Sequence, residues 1–358
     1  MPSPLERYRD RLGLPADFQP LTLGEGGTPL LPSVVLGPEW GLNRLYFKCD
    51  HLSTTGSYKD RFIALVVSWM RRRGQTLCLA TSSGNTGSSL AAFTARAGMR
   101  VLLFCNERTP AGKLTQMRAH GATIHRVEGF GRTTEQTEAA IRHLQQLSAE
   151  HDLPLIISAY KYCPEAMVGV RTLGYEILEQ VPEPPAAIFL PVGGGGLFTS
   201  VADALAQTGA PTRCEPVQPS GTDTVITPLH RGETHGRDVD TETDVSGLNV
   251  PMNIDGDRVL AHCHRTGSRG YLVDEAFVRA IQARLYREEG LAVEPAGAVS
   301  VAGVARAAAA GDLDPAAVVV ATLTGQGFKD PASEAQVAEQ SPELLVKPEQ
   351  ITEALLPD

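Results

Sequence analysis

The residues that could do chemistry fall in a few short stretches. Residues 53–61 read Ser-Thr-Thr-Gly-Ser-Tyr-Lys-Asp-Arg, and an apolar run follows at once in Phe62, Ile63, Leu65, Val66, Val67, Trp69 and Met70. This pattern predicts a polar loop, an N-cap at Ser57 and a helix with Lys59 in its first turn. The positive end of a helix dipole is a poor place for a structural cation. The same field, with some burial, favours a neutral, nucleophilic amine. Such a lysine suits Schiff-base chemistry with an aldehyde cofactor. A solvated lysine on a surface turn fits this stretch equally well when it is read alone.

Gly193, Gly194, Gly195 and Gly196 follow a buried-strand pattern at residues 187–192 and open a helix pattern at Leu197. Four glycines let successive backbone N–H groups turn toward one point at a helix start, which makes a cradle for a dianionic phosphate. The run is neither a Rossmann fingerprint nor a P-loop. Ser82, Ser83, Gly84, Asn85, Thr86 and Gly87 form a second strand-to-helix loop, with hydroxyls, an amide and N–H groups suited to a carboxylate. Simple helix capping by its serines and threonine is the plainer reading. Thr324 ends the last strand pattern, where ligands sit in open α/β sheets; it reads equally as a turn threonine. His262-Cys263-His264 has no second cluster at metal-ligand spacing and reads as a strand or loop fragment, so no metal is expected.

The elements that must position these residues alternate along the chain. Strand patterns at 45–50, 77–80, 101–104, 123–127 and 155–157 are separated by helix patterns at Ser88 to Ala97, Ala111 to His120 and about Thr133 to Ala149. The second half continues with a helix from Glu165 to Glu179, the strand at 187–192, a helix from Leu197 to Ala206, helices near 274–289 and 297–310, and a strand at 318–323. Residues 219–258 read as an irregular loop region over a site, and the acidic tail carries one helix signal near its end. The alternation predicts parallel sheets covered on both faces. Residues 75–158 would form a smaller α/β unit carrying the Ser82 to Gly87 loop, inserted into a larger one built from 1–74 and 159–358; a single large sheet is the alternative.

The 358 residues are 42% hydrophobic and carry a net charge of −9. That length can bury two cores. The acidic balance, without a basic stripe, argues against nucleic acid and anionic membranes as partners. Six scattered cysteines without C-x-x-C spacing read as buried thiols in a reducing compartment. Neither a signal peptide nor a membrane-spanning run is visible, so a cytoplasmic protein is expected.

The motifs, in their order, resemble the pyridoxal-phosphate enzymes of the tryptophan synthase β-like family (fold type II), and within it threonine synthase. Residues 24–30 resemble G-E-G-x-T-P-L, residues 55–61 resemble T-G-S-F-K-D-R, Ser83 to Thr86 resemble S/T-G-N-T, and residues 324–331 resemble T-G-x-G-x-K-D-P. The resemblance implies a two-domain fold and roles for these residues. Lys59 would carry the cofactor as a Schiff base and shuttle the Cα proton, with Tyr58 beside the ring. Asn85 would bond the phenolic oxygen, Gly193 to Gly196 would hold the phosphate, and Thr324 would face the pyridine nitrogen. Ser82, Ser83 and Thr86 would hold the substrate carboxylate.

Some residues depart from the synthase pattern. Gly193 to Leu197 and Glu294-Pro295-Ala296-Gly297-Ala298 look like the threonine and serine dehydratases. Phe62 replaces the usual glycine after K-D-R. The arginine expected to hold a substrate phosphate aligns with Ala166, which leaves Lys161 as the nearby cation. The expectation is a pyridoxal-phosphate lyase acting by β/γ-elimination or replacement on a small amino acid. Threonine synthase proper, a dehydratase and a non-catalytic cofactor-binding protein are the alternatives. A homodimer is expected.

Overall fold

The computed structural model describes residues 2–82, 84–107, 109, 111–130, 134–241, 243–343 and 345–348. Among the described residues, ten strands make two sheets. In chain order they are β1 (Leu30–Pro32), β2 (Leu45–Lys48), β3 (Leu77–Ala80), β4 (Arg100–Asn106), β5 (Thr123–Val127), β6 (Leu155–Ile156), β7 (Ala187–Pro191), β8 (Arg213–Pro219), β9 (Tyr271–Val273) and β10 (Val319–Thr322). The larger sheet has the order β1-β2-β10-β7-β8-β9 and the smaller β5-β4-β3-β6. Every pairing is parallel except β1 with β2.

All five residues of β7 are buried, as a strand covered on both faces requires. Alternate side chains serve the two faces. Ile188 and Leu190 pack with Phe62, Leu65 and Phe198 from the helices Lys59–Arg72 and Gly196–Thr208. Ala187 and Phe189 pack on the other side with Val299, Ala302 and Val304 from the helix Pro295–Ala309. Phe62, the departure after K-D-R, is fully buried in the first of these layers. Losing such a ring to alanine costs about 3–5 kcal/mol.

Parallel pairing puts strand carboxyl ends on one edge. β10 lies between β2 and β7, with Thr322 opposite Lys48 and Ala321 opposite Phe189. The segments leaving β2, β7 and β10 lead to Lys59, to the four glycines and to Thr324, and therefore meet at that edge.

Several expectations need correction. Ser57 is not the N-cap: Tyr58 occupies that position, and the buried Ser57 hydroxyl has no partner. The Asp60 carboxylate organises the loop instead, accepting from the Thr55 N–H, the Thr55 hydroxyl and the Ser89 hydroxyl. His262 to His264 lie in the helix Gly256–Thr266, not in a strand or loop; the irregular stretch 219–258 also contains the short helix Ile226–His230. The predicted helix from Glu165 is three pieces, Pro164–Met167, a 3₁₀ turn Val168–Val170 and Arg171–Gln180. The helix placed at Ser88 begins at Asn85. β8 escaped notice because Pro216 and Pro219 mask it. Ser83, Thr133 and the helix signal near the end of the tail lie outside the described residues, and a helix at Pro331–Ala338 opens that tail.

Candidate active site

Lys59 is the first residue of its helix and is half-buried. Its ammonium donates to the Ser158 hydroxyl at 2.6 Å and lies 4.7 Å from the centre of the Tyr58 ring. Ser158 follows β6 on the way back from the smaller sheet. The backbone N–H groups of Tyr160 and Lys161 donate to the Asp255 carboxylate at 2.8 and 3.0 Å. Asp255 in turn donates its own N–H to the Gly194 carbonyl at 2.9 Å. Burial raises the pKa of the Asp255 carboxyl, and its bonds to those N–H groups act against this. Asp255 thus clasps the Ser158 segment against the glycine loop, which brings Lys59 and Gly193 to Gly196 into one site.

Gly195 takes φ +96°, the left-handed region open to glycine, and caps a helix that starts at Gly196 without any side-chain cap. The first N–H groups of that helix therefore have no side-chain cap competing for them and are suited to an anion. The buried Thr199 hydroxyl in the next turn also has no partner. A Cβ on Gly195 would sit 3.1 Å from Asp255, whereas one on Gly194 would meet Ile254 at an ordinary 3.5 Å. Gly195→Ala is therefore expected to weaken phosphate binding about tenfold, since forcing a side chain into strained backbone costs about 1–3 kcal/mol. Gly194→Ala should change it much less. Equilibrium dialysis with pyridoxal phosphate separates the two, and equal affinities would place the phosphate elsewhere.

Thr324 is buried, and its carbonyl accepts from the Tyr58 N–H at 3.1 Å. Ser57 and Gly325 form an antiparallel bridge, so the Lys59 loop and the Thr324 loop are zipped together. A Cβ on Gly325 would lie 2.0 Å from a Glu294 carboxylate oxygen, so only glycine lets that side chain pass. Glu294 accepts from the Asn85 amide at 2.7 Å. Burial pushes the pKa of this carboxyl up, and the Asn85 bond acts against the rise.

Beside this pair is a cavity of about 100 Å³ lined by Asn85, Ser88, Lys113, Gln116, Glu294 and Lys329. The Lys329 ammonium donates to Gln116 at 2.6 Å; burial lowers its pKa to about 8, with Glu294 and Asp60 resisting the drop. Lys113 pairs with Asp330 at 3.2 Å and reaches Ser246.

Ser82 accepts from the Gly84 and Gly87 N–H groups, and Thr86 is buried in the first turn of the following helix. Ser82 is thus engaged as an acceptor within its own loop. Lys161 is exposed, its ammonium 5.7 Å from the Tyr162 ring centre. Ala166 lines a different cavity, under the far end of the Lys59 helix. The sequence reading assigned no role to Ser158, Asp255 or Lys329. Lys329 and Glu294 stand inside recognisable motifs, and that was the available signal. Ser158 and Asp255 carry none.

A family model described as "Pyridoxal-phosphate dependent enzyme" matches residues 21–325. A threonine synthase of Mycobacterium leprae is 30% identical over 337 residues, covering 92% of this chain and 89% of the relative. A threonine synthase of Halalkalibacterium halodurans is 28% identical over 355 residues, covering 97% and 95%. Among solved structures, the processed form of threonine deaminase isoform 2 from Solanum lycopersicum superposes with TM-score 0.76 at 24% identity, covering 94% of this chain and 88% of that one. The shared fold is the α/β architecture expected from the sequence.

Proposed function

This chain belongs to the pyridoxal-phosphate-dependent enzyme family, and we propose that it catalyses β- or γ-elimination or replacement on a small, free or O-activated amino acid. Its cofactor is pyridoxal phosphate, and it is a lyase resembling threonine synthase. The residues fit that cofactor: an uncapped helix start behind a left-handed glycine for the phosphate, and an amine held one hydrogen bond from the segment that clasps it.

The observation that carries the reading is the Lys59 ammonium against the Ser158 hydroxyl beside the glycine loop. When bound, the cofactor supplies an electron sink for charge developing at the substrate Cα. Lys59 is the base whose Nζ takes and returns the Cα proton, and Ser158 holds that nitrogen in place. Asn85, held by Glu294, would bond the phenolic oxygen. Ser82, Ser83 and Thr86 would receive the substrate carboxylate. Thr324 would offer a neutral hydroxyl to the ring nitrogen. Movement of the 75–158 unit over this edge, a cytoplasmic location and a homodimer belong to the same proposal.

The favoured substrates are of serine or threonine type. A substrate phosphate needs charge-assisted donors, and the position where the resemblance expects an arginine is Ala166, on the wall of the other cavity, so no side-chain donor reaches the site from it. One missing bond to a charged group costs roughly 1.5–3 kcal/mol, about tenfold to a hundredfold in kcat/KM. Steady-state assays with L-threonine, L-serine and O-phospho-L-homoserine provide the test, and the phosphorylated substrate is expected to turn over worst. The threonine synthases among the relatives favour a second reading, threonine synthase proper. Efficient threonine formation from O-phosphohomoserine, lost in Lys161→Ala, would establish it and identify Lys161 as the phosphate anchor.

A further inference from the structure

A second cavity, of about 490 Å³, lies at the far end of the Lys59–Arg72 helix. Its volume is in the range of small-molecule sites. Val66, Trp69 and Met70 form one wall, and Gln145 and Ser148 of the helix Thr134–His151 form another. β6, the chain running from it and the helix Pro164–Met167 complete it with Ile156, Cys163 and Ala166. Both sheets' units therefore contribute to it, and its body is mostly apolar.

Two opposite charges stand at its rim. The Arg73 guanidinium meets the Glu165 carboxylate at 2.6 Å, and both side chains are more than half exposed. Arg73 also lies 5.3 Å from the centre of the Trp69 ring, which fixes its position over the cavity. An exposed pair of this kind is worth about 1 kcal/mol or less, so a ligand that satisfies both partners opens it at little cost. A cation and an anion side by side above apolar walls complement a zwitterion with a hydrocarbon side chain.

We propose that this cavity binds a free L-α-amino acid with an aliphatic side chain, its carboxylate on Arg73 and its ammonium on Glu165. The same connecting segment that walls the cavity carries Ser158 to Lys59 and Tyr160 and Lys161 to Asp255. An occupant holds that segment in one arrangement, and so bears on the position of the Lys59 ammonium and on the glycine loop. By linkage, occupancy of the active site changes affinity at the cavity to the same degree. Binding itself stands independently of the proposed reaction; the effect on turnover rests on it.

The chain has two tryptophans, Trp40 and Trp69, so Trp40→Phe leaves a reporter inside the cavity wall. The cofactor-loaded Trp40→Phe protein is titrated with L-leucine while Trp69 emission and the cofactor absorption band are followed together. The expected result is a saturable change in Trp69 emission without displacement of the cofactor band. Arg73→Ala and Glu165→Ala, both at exposed positions, should each weaken that titration by about tenfold or more. L-leucinamide and N-acetyl-L-leucine, each lacking one of the two charges, should weaken it similarly. An unsaturable response, an undiminished titration in both alanine variants, or a shift of the cofactor band with Trp69 unchanged would overturn the proposal. The last of these would place leucine at Lys59 and leave the proposed reaction standing.

Discussion

Lys59→Ala is expected to lose about three orders of magnitude in turnover, the upper part of what a positioned base contributes, while folding normally. The side chain is half-buried and its hydrogen-bond partner among the described residues is the Ser158 hydroxyl, so its removal orphans no buried charge. Borohydride treatment of the wild-type protein should fix the cofactor covalently on the peptide containing Lys59, and the variant should retain none. Recovery of the label on Lys113, Lys161 or Lys329 would overturn the assignment. Circular dichroism of the variant guards against mistaking unfolding for lost chemistry.

The second large effect falls on stability. Arg61, two residues from Lys59, is fully buried. Its guanidinium donates to both oxygens of Asp50 at 2.9 and 2.7 Å and to both oxygens of Glu176 at 2.8 and 2.7 Å. Lys48 adds a bond to Glu176 at 2.9 Å. Arg61→Met would leave two carboxylates facing one lysine in the interior, and breaking a buried network of this kind costs about 3–5 kcal/mol. Urea denaturation with an unshifted midpoint would contradict this.

The network also sets an acid limit. Burial alone would raise the Glu176 pKa, but the charges of Arg61 and Lys48 win and hold it at about 2, below its ordinary 4.5. A depressed carboxyl stabilises the fold fully above its unfolded value, and that contribution is lost as pH falls from about 4.5 toward 2. Arg61→Met should therefore unfold at a higher pH than the wild type.

Short contiguous segments were the legible part of this molecule. The glycine run, the Lys59 loop and the Thr324 loop each lie between a strand and the next helix, so local pattern located them and parallel pairing brought them together. Contacts between distant single residues were not legible. Asn85 and Glu294 are 209 positions apart, and nothing around either announces the bond. Asp255 acts through its place between the glycine loop and Tyr160, which only the fold creates. Ser57 misled because a serine before a helix commonly caps it; here Asp60 took over the loop and Tyr58 the cap position.

The position of β10 has a consequence for how the protein comes to exist. The final strand inserts between β2, near the start of the chain, and β7, near its middle. Until it arrives, β2 and β7 lack the neighbour that joins them and present open edges. The Lys59 loop likewise lacks the Gly325 bridge that zips it to its partner. Closing loops of this length makes assembly slow and exposes those edges to aggregation. During synthesis the site is therefore completed only after the other nine described strands have been made, because its loops are held together through β10 and Gly325.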